Sequence, residues 1–357
     1  MLVTILLGIL CVFFGVLANY KNTAWGLKVS FSFIFLFLAL RYNFGNDYET
    51  YALMFNVIGQ YELNELFDPL PLYEPGWVFL NWLFRDIGFF AMNAALAFLS
   101  CIVYYRFIKK YLDPGYYWLA IFLYIFYPGF LLIHSTAMRQ APAIMLFVLS
   151  IDYLIKKDGI RYFTCIGLAT LFHYSALILF PVYLLIYFNR EIRLLYGSIF
   201  VSIFLIVFVF GEILSPYLKF LIISFSEKYD AYQEPGVVSS GTGFIYYSAL
   251  FILTLFFERK QNREIAIVFK VAILSYLMIP LPLIIDMTGR LLMYFVPATI
   301  IVYPIIAKEF KNIFIKIGFS TILVFLTLFQ FIQFFYSDIY QPHFGIYHTI
   351  FSAPKLY

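Results

Sequence analysis

The chain has 357 residues, of which 63% are apolar, 22% aromatic and 12% charged, against roughly 45–50% apolar and about 25% charged in an ordinary soluble domain. A water-soluble globule is therefore excluded, and so is a membrane barrel, whose strands would alternate apolar with polar residues. The formal charge of +4 assigns no partner by itself, because in a membrane protein the side on which Lys and Arg lie matters more than their sum.

At about 20 residues per crossing of a ~30 Å hydrocarbon core, there is room for about 11 transmembrane helices. Lipid-exposed backbone must satisfy its own hydrogen bonds, so the apolar runs are helices. In chain order they predict spans at 2–19, 26–40, 87–105, 116–133, 140–155, 194–211, 243–257, 264–285, 289–307 and 312–335. The first has no basic start and is followed by Lys21 and Lys28, so it reads as a retained span with its amino end outside rather than as a signal peptide. The run 162–188 is too long for one ordinary span and lies between Lys156, Lys157 and Arg161 on one side and Arg190 and Arg193 on the other. Basic flanks mark the cytoplasmic side. With both ends inside, the segment must enter and return as a re-entrant or broken helix pair with His173 near its midpoint, surrounded by protein or water.

The organisation expected is a single transmembrane unit, 1–357, all-α and polytopic. An acidic outer loop spans 41–86, a second outer loop rich in Ser, Gly and Tyr spans 211–243, and an outer tail at 337–357 carries His343 and His348. The similar YEPG at 73–76 and QEPG at 233–236 are too slight to mark an internal repeat. Cys11, Cys101 and Cys165 lie in apolar runs without CxxC or CxxH spacing and read as core residues, not as a disulfide framework or zinc site.

Sorting polar residues by side leaves Arg41, Asp47, Glu49, Glu74, His134, Arg139, His173, Asp286 and Arg290 facing outwards. Arg41, Arg139 and Arg290 break the usual charge rule at the outer ends of helices and can converge on an anion. The guanidinium fork suits a phosphate or diphosphate, and a helix start adds amide donors beside Arg139 and Arg290. Each arginine alone equally fits a snorkelling interfacial anchor. Asp47 follows Gly45 and Asn46, whose turn could fold its carboxylate back towards Arg41 as a base or positioner; it also has the setting of a helix cap. Glu74, before Pro75 and Gly76, is a second acid for proton transfer or a solvated turn residue. His173 at membrane depth is a functional residue or a hydrogen-bonded core histidine. Asp286 and Arg290, four apart, can pair with each other. No GxxxxGK[ST], GxSxG or HExxH occurs, and four scattered histidines give no metal cluster. Trp25, Trp77, Trp82 and Trp118 fit interfacial belts.

Taken in order, RYNFGNDYETYALMF, YEPGWVFLNWL, MRQAPAIMLF, LFHYSALI, GRLLMYF and the tail YQPHFGIY resemble the EpsG branch of the Wzy-type polysaccharide polymerases. The resemblance implies a GT-C-like glycosyltransferase of the bacterial inner membrane with its active site facing the periplasm or outside. It would move a growing glycan from undecaprenyl diphosphate to the non-reducing end of a lipid-linked repeat unit, for O-antigen, capsule or exopolysaccharide. It further implies that Arg41, Arg139 and Arg290 bind the diphosphate, with Asp47, His173 and Glu74 as catalytic candidates and no metal or cofactor. The implied partners are the lipid-linked donor and acceptor, the bilayer, a chain-length regulator and a flippase, with no nucleic acid. Pro142 departs from the family's pattern, although Pro is accommodated in a first helical turn. The main rival is a polyprenyl-linked saccharide flippase, for which repeated halves and a midplane site would be expected. A polyprenyl-monophosphate glycosyltransferase and a glycan acyltransferase are further rivals.

Overall fold

The computed structural model describes residues 1–20, 23–62, 73–186, 196–203, 206, 217, 241–283 and 288–352. The chain is an all-α membrane protein. Helix α1 (Leu2–Tyr20) packs against α2 (Trp25–Ala39). Small residues bring these two backbones together: a Cβ on Gly26 would lie 2.0 Å from the Phe14 carbonyl oxygen, and Ser30 donates across the seam to the Cys11 carbonyl (2.7 Å). Close approach of this kind is a main source of helix association in lipid. Gly26→Ala is accordingly expected to destabilise the fold by about 1–3 kcal/mol through overpacking, measured by thermal unfolding in detergent.

The predicted outer loop is not irregular. It contains α3 (Tyr48–Ile58) and α4 (Pro75–Leu83), because Tyr48, Tyr51, Ala52 and Phe55 share one helical face and pack on Trp77, Phe89 and Met92 in their own apolar cluster. Helix α5 (Phe89–Tyr111) then crosses to the Lys109 and Lys110 end. The run predicted as one span at 116–133 is broken into α6 (Tyr117–Phe126) and α7 (Leu131–Thr136). Pro128 lacks a backbone donor and drives Tyr127 into extended geometry (ψ 118°), as expected of a residue before proline.

Helix α8 (Gln140–Lys156) closes on left-handed Lys157 (φ 58°), and Asp158 caps α9 (Gly159–Phe172) by accepting from the Arg161 amide. Helix α9 stops at His173, which is extended, and a 3₁₀ run, Tyr174–Ile186, leads back. Tyr162 donates to the Leu179 carbonyl (2.6 Å), Tyr183 to the Lys157 carbonyl (3.0 Å), and Phe163 stacks on Phe180. The segment is thus a broken helix pair with both ends together and His173 at the tip.

The remaining helices are α10 (Gly241–Glu258), α11 (Arg263–Met278), α12 (Gly289–Phe295), α13 (Thr299–Glu309), α14 (Ile313–Tyr336) and α15 (Gln341–Phe344). Asn262 and Asn312 cap α11 and α14. The span expected at 264–285 ends at Met278, just before Pro280 and Pro282, which cannot continue a helix. Among the described residues, Leu2–Asn19, Phe89–Tyr111, Gly289–Glu309 and Ile313–Tyr336 are long and apolar enough to cross a membrane. Half of the span predicted at 194–211, most of the loop at 211–243, and Arg190, Arg193 and Asp286 lie outside the described residues.

The two ends of the bundle differ in chemistry. Lys109, Lys110, Lys156 and Lys308 close their helices at one end, where Lys110 pairs with Asp152 and Lys308 with Asp113. At the other end the tail folds back over the segment that follows α2. Strand β1 (Arg41–Tyr42) pairs antiparallel with β2 (His348–Thr349), Arg41 opposite Thr349. Tyr347 stacks on Phe37 (4.5 Å) and donates to its carbonyl (2.6 Å), while Phe44 sits against both Phe344 and Tyr347.

Candidate functional site

The segment after β1 turns sharply at Gly45, whose φ of +131° suits glycine and whose Cβ, if present, would lie 3.2 Å from Thr136. The turn is latched to α7: Thr136 donates to Asn46 Oδ1 (2.6 Å) and accepts from the Asp47 amide (3.2 Å). Asp47 occupies the position preceding α3, yet its side chain caps nothing. Its carboxylate instead takes a contact from Asn46 Nδ2 (3.3 Å) and lies in the field of Arg290, Arg139 and His343. The turn therefore leaves Asp47 in the field of Arg290 and Arg139, whereas Arg41, the neighbour expected from the turn's sequence, is not among the charges acting on it. Burial raises the Asp47 pKa above its ordinary value, with Arg290 and Arg139 opposing that rise.

Arg139 immediately precedes α8. Its Nη1 donates to Glu74 Oε2 (2.9 Å), its guanidinium lies 5.2 Å from the Tyr73 ring centre, and it hydrogen-bonds the Tyr51 phenol. Burial opposes its charge, but Tyr51 and Glu74 outweigh that and raise its pKa. The buried Nε of Arg139 has no acceptor. Glu74 stands before α4, is 6% exposed and serves Arg139; the solvated-turn alternative does not describe it. Pro142 falls in the first turn of α8.

Arg290, the second residue of α12, acts electrostatically on Asp47, Tyr51 and Tyr294. Gln140 ties the two helix starts together by donating to the Arg290 carbonyl (2.6 Å). Arg139 and Arg290 are thus brought to one locus, with Asp47 within reach of both charges. His173 reaches the same locus through a relay. Its Nδ1 is 2.6 Å from Ser175 Oγ, which is 3.0 Å from the Tyr294 hydroxyl, and Tyr294 also hydrogen-bonds Gln140.

Arg41 is placed differently. It is 4% exposed, its Nη2 donates to Asn93 Oδ1 (2.7 Å), and its charge acts on Tyr48 and Tyr347. Burial pushes its pKa down to about 10, so it stays charged at neutral pH. Glu49 accepts from Asn43, and the His134 side chain lies outside the described residues. Sequence reasoning missed Tyr51, Gln140, Ser175 and Tyr294. All four lie within the quoted motifs; Gln140 directly follows Arg139 and Tyr294 is four residues after Arg290, so for these two the signal was adjacency to the arginines, while Ser175 lies two residues after His173.

A helical membrane protein with two arginines at neighbouring helix starts, a carboxylate in their joint field and a loop folded over them is the class that fold and site define. A sequence profile of the EpsG family matches residues 25–347. The chain belongs to the EpsG family, a Wzy-like polymerase family, which gives it a role of the polysaccharide-polymerase type. Comparison with curated proteins gave no match, and neither did comparison with solved structures.

Proposed function

We propose that this protein is a Wzy-type glycosyltransferase that extends a glycan carried on undecaprenyl diphosphate by transferring it to a hydroxyl at the non-reducing end of a lipid-linked repeat unit. The lysine-rich end of the bundle is taken as cytoplasmic by the positive-inside rule, which puts the Arg139 and Arg290 locus at the outer face of the bacterial inner membrane. The scaffold is taken as GT-C-like, and the 159–186 helix pair as re-entrant. Donor and acceptor enter from the bilayer, with a flippase supplying them and a chain-length regulator acting on the product.

The observation that carries this reading is the pair of arginines. Arg139 is held through Nη1 by Glu74 while its buried Nε lacks an acceptor, and Arg290 acts with Arg139 on a different carboxylate, that of Asp47. In the proposed step the anomeric carbon's bond to the diphosphate oxygen breaks, and the electron pair leaves with the diphosphate. The acceptor hydroxyl forms the new bond and passes its proton to Asp47. Charge grows on the leaving group, so cations fixed beforehand at that position are the largest contribution expected. Asp47 suits the base because it is only partly buried and burial has raised its pKa. Glu74 acts as the positioning partner of Arg139. The His173, Ser175 and Tyr294 relay offers a second place for the proton. Arg41 braces the outer loop from behind.

The test is a reaction of purified protein in proteoliposomes with lipid-linked repeats alone. Ladders of increasing glycan length are expected. Unextended oligosaccharide accompanied by movement of the lipid across the bilayer would instead establish the flippase.

A further inference from the structure

Arg41 carries the most thoroughly buried positive charge at the outer end of the bundle, and among the described residues no carboxylate acts on it. Its Nη2 is satisfied by Asn93 Oδ1 (2.7 Å), but its Nε has no acceptor, and neither has Asn93 Nδ2; both residues are buried, at 4% and 1% exposed. The two residues line one small cavity, of about 30 Å³, together with Ser100, Tyr124, Ser135 and Met138. A buried donor without an acceptor is costly, and a buried charge without a counter-charge more so. A water would satisfy the donors and leave the charge uncompensated. A cavity of this size holds a water-sized guest, so a diphosphate is too large for it.

We propose that the cavity beside Arg41 and Asn93 is a structural site for a halide-sized monovalent anion, held by the Arg41 guanidinium and the Asn93 amide. The chemistry is that of chloride: one negative charge, a small radius and acceptance from several N–H donors at once. The cavity is also lined by Ala141 in α8, two residues beyond Arg139. The anion would thereby fix the start of α8 and the β1 turn against each other. It is separate from the Arg139 and Arg290 locus, and the inference stands whichever lipid that locus takes.

The experiment is thermal unfolding of the intact protein in detergent, titrated with chloride or bromide against gluconate and sulfate at constant ionic strength. The melting temperature is expected to rise saturably, by several degrees, with chloride and bromide only. Asn93→Asp, which builds a counter-charge into the cavity, is expected to melt at the halide-saturated temperature without halide and to lose the dependence. Equal melting in chloride and gluconate would overturn the proposal and leave water as the guest. A halide response that persists undiminished in Asn93→Asp would overturn the location. If Asn93→Asp fails to fold, Arg41→Gln serves, and retention of the halide response there has the same overturning meaning.

Discussion

Arg139→Ala is expected to lower the rate of glycan extension by about 10²–10³-fold, the usual cost of losing one fixed donor from a developing anion. The same change leaves the Glu74 carboxylate, 8% exposed at its side chain, buried without its cation, and breaking a buried pair costs about 3–5 kcal/mol. Activity and stability must therefore be read together. Arg139→Lys separates them, because it restores a charge opposite Glu74 but not the planar fork that can bind Glu74 and a phosphate at once. It is expected to recover most of the melting temperature while remaining at least about tenfold slow, a typical margin for one lost charge-assisted contact. Ladder assays and thermal unfolding on the same preparations check both halves. A fully active Arg139→Lys would show that point charge alone suffices.

Asp47→Asn is expected to slow extension by about 10²–10⁴-fold, the range for a general base, with no loss of melting temperature. The sign follows from burial. The folded-state pKa of Asp47 is raised above its ordinary value of 3.8, so its ionisation is less favourable in the folded state than in the unfolded chain. The stability conferred by its neutral form is lost as pH rises through the folded pKa. An asparagine, which never ionises, escapes that cost. The native rate should fall as pH drops through the raised pKa, because only the carboxylate accepts a proton, and the Asp47→Asn profile should lack that acid limb. An unchanged limb in the variant would move the base elsewhere, with His173 and its Ser175 and Tyr294 relay the next group to examine.

Much of this architecture was legible in the chain because hydropathy acts over whole spans. The runs at 26–40, 140–155 and 312–335 correspond to α2, α8 and α14 within a residue or two. The basic clusters around 162–188 called for a segment that returns on itself, and α9 with its 3₁₀ partner does so about His173. What span-scale reading passes over is short and local. Helices α3 and α4 are too brief to register as spans and draw their order from the Tyr51 and Trp77 contact (5.2 Å). The break at Tyr127 follows from a single proline.

The site was legible in its ingredients more than in its connections. The sequence singles out three arginines by charge and side, but it contains no signal that Glu74 would reach Arg139 across sixty-five positions. Nor does it show that Asn93 would take Arg41 out of that company. Side-chain pairing between distant loops depends on how α4, α5 and α8 pack, and the aromatic cluster shared by α3, α4 and α5 carries part of that packing.

The most direct test of the central claim is binding of undecaprenyl diphosphate and undecaprenyl monophosphate to the intact protein and to Arg139→Ala, Arg290→Ala and the double variant. If the two guanidinium groups share one diphosphate, the native protein will prefer the diphosphate by at least about tenfold, one charge-assisted interaction's worth. Either single change will then erase that preference, and the double variant will cost little more than either alone. Equal affinity for both lipids, or losses that simply add across the two arginines, would contradict it.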